Sequence, residues 1–171
     1  MTLPDHETYM QLALAIARRA LDKDEFPVGC VVAHAGRVVA RGERINTQKS
    51  VPSELDHAEI LALRQVEALD PAPDRDGMVL YATLEPCLMC YGAILISGIG
   101  TVVYAYEDAM GGGTRCNRTL LPALYRDNPI NVVPGVCRRQ SLVLFQDYFR
   151  RPHTAYWNDS LLAEYTLDQP N

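Results

Sequence analysis

His57-Ala58-Glu59 and, further along, Pro86-Cys87-Leu88-Met89-Cys90 bring one imidazole, two thiols and one carboxylate into two short motifs. An imidazole with two thiolates is a donor set for Zn²⁺. Three protein ligands rather than four would leave one coordination position open to water, which separates a catalytic zinc from a structural one. Glu59 is then left over for proton transfer.

The spacing constrains the elements that must carry these groups. Cys87 and Cys90 stand at i and i+3, so a helix starting near Cys87 puts both sulfurs on its first turn, where the helix N-terminus favours thiolate. His57 opens a second apolar-periodic segment. Two positions along an α-helix rotate the side chain by roughly 200°, so His57 and Glu59 converge only if His57 lies at the bent entry to its helix. Other readings compete. A CxxC pair at a helix start also serves redox chemistry, and Cys116 or Cys137 could complete a structural zinc site. Cys30, in an apolar run, reads as core. Asp56 and Glu59 match a D-x-x-E capping pattern, in which Glu59 would only bond the backbone.

H-x-E joined to P-C-x-x-C is the motif pair of zinc nucleobase deaminases, and the chain resembles the cytidine/deoxycytidylate deaminase superfamily. Within it, Pro27-Val28-Gly29, the run HAEILALR from His57 to Arg64 and the run TLEPCLMC from Thr83 to Cys90 are most similar to the bacterial tRNA adenosine deaminases. The matching stretch runs from about Tyr9 to Arg151. The resemblance implies one Zn²⁺ per chain held by His57, Cys87 and Cys90, with Glu59 as the acid/base that shuttles a proton from water to the ring and to departing ammonia. It also implies a substrate site that includes Asn46, Ala58 and Pro86, and a homodimer.

The chain departs from the family in three places. Asp56 replaces the small or apolar residue usual before the histidine; it could reach the pocket, buttress the metal shell or cap the helix, and capping is the favoured reading. Gln48 to Leu55 lacks the tRNA enzymes' usual sequence. Beyond the last core helix, where those enzymes carry a basic end, His153 to Asp159 loosely resembles the aromatic, acidic segment that closes the pocket of fungal-type cytosine deaminases. A lid would use Tyr156, Trp157 and Asp159 to stack on and hydrogen-bond a small base. The alternative is a short amphipathic helix capped by Asn158 or Asp159 that packs on the core or on a partner subunit.

Periodicity supplies the elements that would hold these residues. Asp5 is a candidate N-cap for a helix to about Lys23, followed by strands over 27–34 and 37–42 joined at Ala35-Gly36. The polar stretch 44–55 reads as a loop, 57–69 as a helix, 78–84 as a central strand and 87–97 as a helix. A strand at 101–106, a flexible Gly111-Gly112-Gly113 loop, a short helix at 119–125, a strand at 130–136 and a helix at 137–150 complete the core. The helical connection makes strands four and five parallel. The fold expected is a three-layer α/β/α sandwich on a mixed five-stranded sheet; the order 2-1-3-4-5 is what the resemblance implies. Residues 1–152 form the expected domain, with 153–171 as its tail.

A chain of 171 residues suits one domain. No run of about 18 apolar residues is present to span a membrane, no secretory signal is visible, and five cysteines without a regular framework point to a reducing compartment, so a cytoplasmic location is expected. The net charge of −5 disfavours a polyanion, and Arg138, Arg139, Arg150 and Arg151 read as a solvated face. On the acidic balance and the aromatic tail together, the expected function is hydrolytic deamination of a free base or nucleoside, with a small molecule preferred to tRNA as partner. Deamination of a tRNA wobble adenosine is the alternative, and a non-catalytic zinc-binding subunit the third reading.

Overall fold

The computed structural model describes residues 5–170; residues 1–4 of the expected domain and residue 171 of the expected tail lie outside the described residues. The chain runs α1 (His6–Asp22), β1 (Gly29–His34), β2 (Arg37–Glu43), α2 (Ala58–Glu67), β3 (Met78–Leu84), α3 (Leu88–Ser97), β4 (Thr101–Tyr106), α4 (Ala123–Arg126), β5 (Asn131–Val133), α5 (Arg138–Arg150) and α6 (Leu161–Leu167). Asp5 caps α1 by accepting from Thr8 N at 3.3 Å, and Met10, Ala13, Leu14, Ala17 and Leu21 form the apolar stripe that buries the helix. Ala35 and Gly36 both adopt positive φ, the primed turn whose twist suits a two-residue hairpin between β1 and β2.

The five strands lie in the order β2-β1-β3-β4-β5. β1 is antiparallel to β2 and β3, whereas β3, β4 and β5 are mutually parallel. α1 packs on β1 and β3 with α5 beside it, α6 packs on α5, and α2 covers β1 and β2 with α3 alongside. Strand side chains alternate between faces, which places these helices in two layers. A Cβ on Gly29 would strike α1 at the Ala13 carbonyl, while one on Gly42, paired with the next residue Cys30, would strike α2 at the Ala58 carbonyl. The chain is therefore an α/β/α sandwich, and the close approach of β2 to the first turn of α2 sets where His57 sits.

An aromatic cluster seals the α1/α5 side. Phe26, just after α1, meets Phe145 and Tyr148 of α5 edge-on at 5.2 Å and Tyr156 of the tail at 5.4 Å. Edge-to-face rings at such separations add to the stability that burial supplies. The tail is thus tied to the core before α6 begins.

Local differences from the sequence reading have local causes. Pro122 divides the expected 119–125 helix into a 3₁₀ turn at Arg118–Leu120 and the four-residue α4, because proline lacks the donor a continuous helix needs. β5 keeps three residues of the expected seven. The tail helix is capped by Ser160, whose Oγ accepts from Ala163 N at 3.2 Å, and not by Asn158 or Asp159. The Gly111–Gly113 loop is pinned: Asp108 Oδ1 accepts from Met110 and Gly111 N–H at 2.9 and 2.8 Å, and Gly113 N donates to Pro86 O at 2.9 Å. Its glycines are there for space, since a Cβ on Gly112 would meet the Glu85 carboxyl. Among the described residues, no helix is long and apolar enough to cross a membrane.

Candidate active site

The site lies where the chain leaves β3 and enters α3, at the carboxyl end of the parallel strands, the usual place for a crevice in an open α/β sheet. Cys87 is the N-cap of α3 and His57 the N-cap of α2; both have extended backbones, with ψ of 169° and 146°, and neither side chain caps its own helix. His57 therefore lies outside the helical repeat. That frees its ring to face Cys87 while Glu59, one step inside α2, points the same way.

His57 Nδ1 is 3.6 Å from Cys87 Sγ and 3.4 Å from Cys90 Sγ. All three donor atoms lie within 4.8 Å of one another, and among the described residues no other cluster of three histidine, cysteine or acidic groups has this geometry. Cys116 and Cys137 stand outside it, so the fourth protein ligand of a structural zinc site is not formed by either. The donor types and their closeness point to a cation. The hydrogen bond with Cys90 holds the Cys87 thiol well below its ordinary value, against burial, and His57 adds to this. The same contact and burial drive Cys90 strongly upward. Burial disfavours the charged His57 ring, yet its contact with Cys87 and the charge of Glu59 prevail and raise its pKa. Without a metal, two close thiols share one proton; a divalent ion lets both ionise. His57, Cys87 and Cys90 fit Zn²⁺ in donor type, spacing and charge.

Glu59 is 3% exposed, and its Oε2 is a buried oxygen without a hydrogen-bond partner. Burial raises the pKa of this carboxyl although His57 opposes the shift. An uncompensated buried acid is costly, and here it borders the cavity that contains His57 and Cys87. The cavity measures about 320 Å³ and is walled by Phe26, Val28, Leu84, Asp108, Tyr156 and Trp157, among others. Such an arrangement can accept a planar ring, hold it over the metal position and exchange a proton with it.

The remaining expected site residues are placed unevenly. Tyr156 and Trp157 line the cavity, whereas Asp159 is exposed and does not. Asp159 falls in the turn before Ser160. Asn46 and Asp56 are joined to each other, Asn46 Nδ2 donating to Asp56 Oδ2 at 2.6 Å. That bond engages the Asp56 carboxylate, so the expected capping of α2 by Asp56 is not made. Ala58 is fully buried beneath Gly42, and Pro86 is buried with its carbonyl engaged by Gly113.

Sequence reading missed several groups of the wall. Glu85 is buried and accepts from Thr114 Oγ1 at 2.5 Å and Asp108 N at 3.2 Å. Asp108 is buried at the end of β4, with its carboxyl pKa raised first by burial. An acid just past a central parallel strand was the available signal for Asp108. Arg44, only 2% exposed, carried no signal, because a polar loop ordinarily keeps arginine in solvent.

Residues 3–106 match the family model described as the cytidine and deoxycytidylate deaminase zinc-binding region. The chain belongs to this deaminase family. Among curated proteins, the deaminase is similar to the tRNA-specific adenosine deaminase of Bacillus subtilis, 32% identical over 84% of this chain and 88% of that one. It is likewise similar to that of Streptococcus pyogenes, 29% identical over 88% and 93% of the two chains. Among solved structures, one from a study of A-to-I editing by tRNA:A34 deaminases shares 34% identity with a TM-score of 0.68, covering 80% of this chain and 98% of that one. A guanine deaminase from Nitrosomonas europaea superposes with a TM-score of 0.68 at 25% identity, over 86% and 85% of the chains.

The deaminase is a zinc-dependent hydrolase of C–N bonds. The preference for a small molecule over tRNA as partner is overturned, because the curated relatives that match along most of the chain are enzymes of tRNA. Net charge misled here because it is a sum over the whole surface and says nothing of the field at one mouth.

Proposed function

We propose that this deaminase converts an adenine presented by tRNA at the wobble position to hypoxanthine, releasing ammonia. The observation that carries the reading is the match, end to end within the core, to tRNA-specific adenosine deaminases, with His57, Glu59, Cys87 and Cys90 gathered at one cavity.

Zinc, when bound, supplies a water made acidic enough to react near neutral pH. Glu59 accepts the proton as oxygen adds to the ring carbon bearing the amine, and passes it to the adjoining ring nitrogen. A second transfer through the same carboxyl lets the amine leave as ammonia. Water and the amino purine are consumed; the oxo purine and ammonia are produced. The buried, partnerless Oε2 suits this double duty, because burial raises its pKa toward the range of a shuttle.

Asn46, held by Asp56 at the loop between β2 and α2, is assigned to the base or its ribose, and Ala58 and Pro86, buried next in sequence to the lining residues His57, Glu59, Glu85 and Cys87, are assigned to backing the site. Tyr156 and Trp157 form the roof, and residues 153–170 belong to the same domain, since Thr154, Tyr156, Leu162, Ala163 and Thr166 are buried in it. The outer side of α3 and the segment leading into α4 expose Leu88, Ile96, Leu120 and Leu124, an apolar face that a second copy of the chain would cover as a homodimer. All five cysteines are free, which suits a cytoplasmic enzyme of tRNA.

The test is direct. Zinc-loaded protein is incubated with an anticodon stem-loop carrying A34, the same stem-loop carrying G34, and free adenine, guanine and cytosine, with products read by mass spectrometry. Inosine in the A34 stem-loop alone is expected; turnover of a free base with none on the stem-loop would overturn the proposal.

A further inference from the structure

Arg44 is among the largest side chains that are fully buried, and it forms part of the cavity wall. Burying a guanidinium is costly unless its donors are met. Nη1 donates to Ile45 O at 2.8 Å and Asp56 O at 3.0 Å; Nη2 donates to Ser53 O at 2.5 Å and to the Tyr156 hydroxyl at 3.1 Å. None of these four acceptors is charged. Three of them are carbonyls of the loop between β2 and α2, so that loop is wrapped around the guanidinium.

The choice of carbonyls matters. Ile45 O belongs to the peptide that leads into Asn46, which holds a left-handed φ of 65°, and Asp56 O belongs to the peptide that leads into His57. The fourth acceptor lies in the tail, more than a hundred residues away. Tyr156 lies beneath the same cation, its ring 5.3 Å from Cζ, and its hydroxyl donates onward to Glu54 Oε2 at 2.8 Å. Trp157 follows, edge-on to Tyr156 at 5.4 Å, with a φ of 61° that turns the chain over the cavity.

We infer that Arg44 is a positioning residue which fastens the Tyr156–Trp157 roof to the loop that bears Asn46 and delivers His57, making the tail a determinant of substrate selection. One side chain joins the peptide that precedes His57, the loop that bears Asn46 and a roof from the opposite end of the chain. A lysine cannot substitute, because a single ammonium does not reach four acceptors in a planar fork. The inference rests on the deaminase chemistry and stands apart from whether the base arrives in tRNA.

Trp157 is the sole tryptophan of the chain and reports on the roof directly. Zinc-loaded wild type, Arg44→Met, Arg44→Lys and Tyr156→Phe are compared for acrylamide quenching of Trp157, metal content, unfolding midpoint and steady-state kinetics on whichever substrate of the panel above wild type turns over. In both Arg44 variants quenching increases and KM rises by about 10–100-fold, the range for groups that orient a site from behind, while kcat changes less and zinc stays at one per chain. Tyr156→Phe shifts quenching and KM in the same direction and to a smaller extent. It is the milder variant that decides the matter if both Arg44 variants fail to fold.

Unchanged quenching with unchanged KM would overturn the inference, as would a lowered unfolding midpoint with KM intact, which marks a structural role only. Increased quenching with KM intact would overturn the part assigned to substrate selection. Failure of wild type on the stem-loop would count against tRNA as substrate, and the quenching experiment would still test Arg44.

Discussion

Glu59→Gln isolates the proton shuttle from everything else the site does. The substitution keeps volume and shape at a position 3% exposed, so no cavity opens and α2 has no cause to shift. It does not touch the donor atoms of His57, Cys87 or Cys90, so metal content should remain at one zinc per chain. What it removes is a group that can both take and give a proton. General acid–base catalysis contributes about 10²–10⁴-fold, equivalent to about 3–5 kcal/mol in the barrier at roughly 1.4 kcal/mol per factor of ten. The expected result is a fall of that size in kcat with KM nearly unchanged, measured as ammonia release alongside zinc analysis. The metal-free protein gives an independent check with a defined sign. Burial raises the Glu59 pKa in the folded state, so its ionisation penalises folding as pH rises through that value and not below the ordinary carboxyl range. Metal-free Glu59→Gln should therefore unfold at higher urea than metal-free wild type at pH 7, with the gap closing by about pH 4. Turnover within tenfold of wild type, at full zinc occupancy, would refute the assignment of the shuttle to Glu59.

Three other outcomes follow from the same geometry. Gly42→Ala pushes a methyl into the Ala58 carbonyl at the start of α2; the expected cost is about 1–3 kcal/mol, together with weaker zinc retention under chelator because His57 is displaced, and an unaltered urea midpoint would count against the tight β2–α2 approach. Burial would raise the Glu107 carboxyl, but hydrogen bonds from Arg138 and Tyr165 prevail and hold it below its ordinary value. Its stabilising effect is then present above the ordinary carboxyl range and lost as pH falls through the folded value, so Glu107→Gln should flatten the acid limb of the stability profile. Lys49 shares a groove with Trp157, and Arg115 shares another with Met110 and Gly111, all three neighbours being residues of the cavity wall. Replacing either by Ala should reduce the log–log salt dependence of stem-loop affinity by about 0.7, the contribution of one single-strand phosphate contact, and an unchanged slope would remove that residue from the path of the RNA.

The metal trio and its carboxylate were legible because their chemistry is written locally. Two N-cap positions, each within a few residues of its partner, bring His57, Cys87 and Cys90 together once α2 and α3 start beside each other. Sheet order was legible only through resemblance, since periodicity marks a strand and not its neighbours. The cavity wall was less accessible still. Arg44 meets Tyr156 across a sequence separation of 112, and nothing near either residue announces the other. Asp56 was misread for a related reason. A carboxylate just ahead of a helix has a ready local partner in the helix N-terminus, but here His57 takes the N-cap position and Asn46, in its left-handed turn, engages the Asp56 carboxylate.

Charge shows the same division between what is local and what is assembled. Arg18 with Asp147, Arg19 with Glu43, and Arg151 with Asp24 and Asp147 pair off around α1 and α5. Paired charges cancel at the distance from which a polyanion approaches, so the composition of that side, however basic or acidic it reads, has little bearing on binding. Lys49 lies in a groove beside Trp157, whereas Arg115, beside Met110 and Gly111, is paired with the buried Glu85 at 3.6 Å. A net charge of −5 therefore does not exclude the tRNA substrate proposed above, because a sum over the whole surface does not fix the field at one mouth.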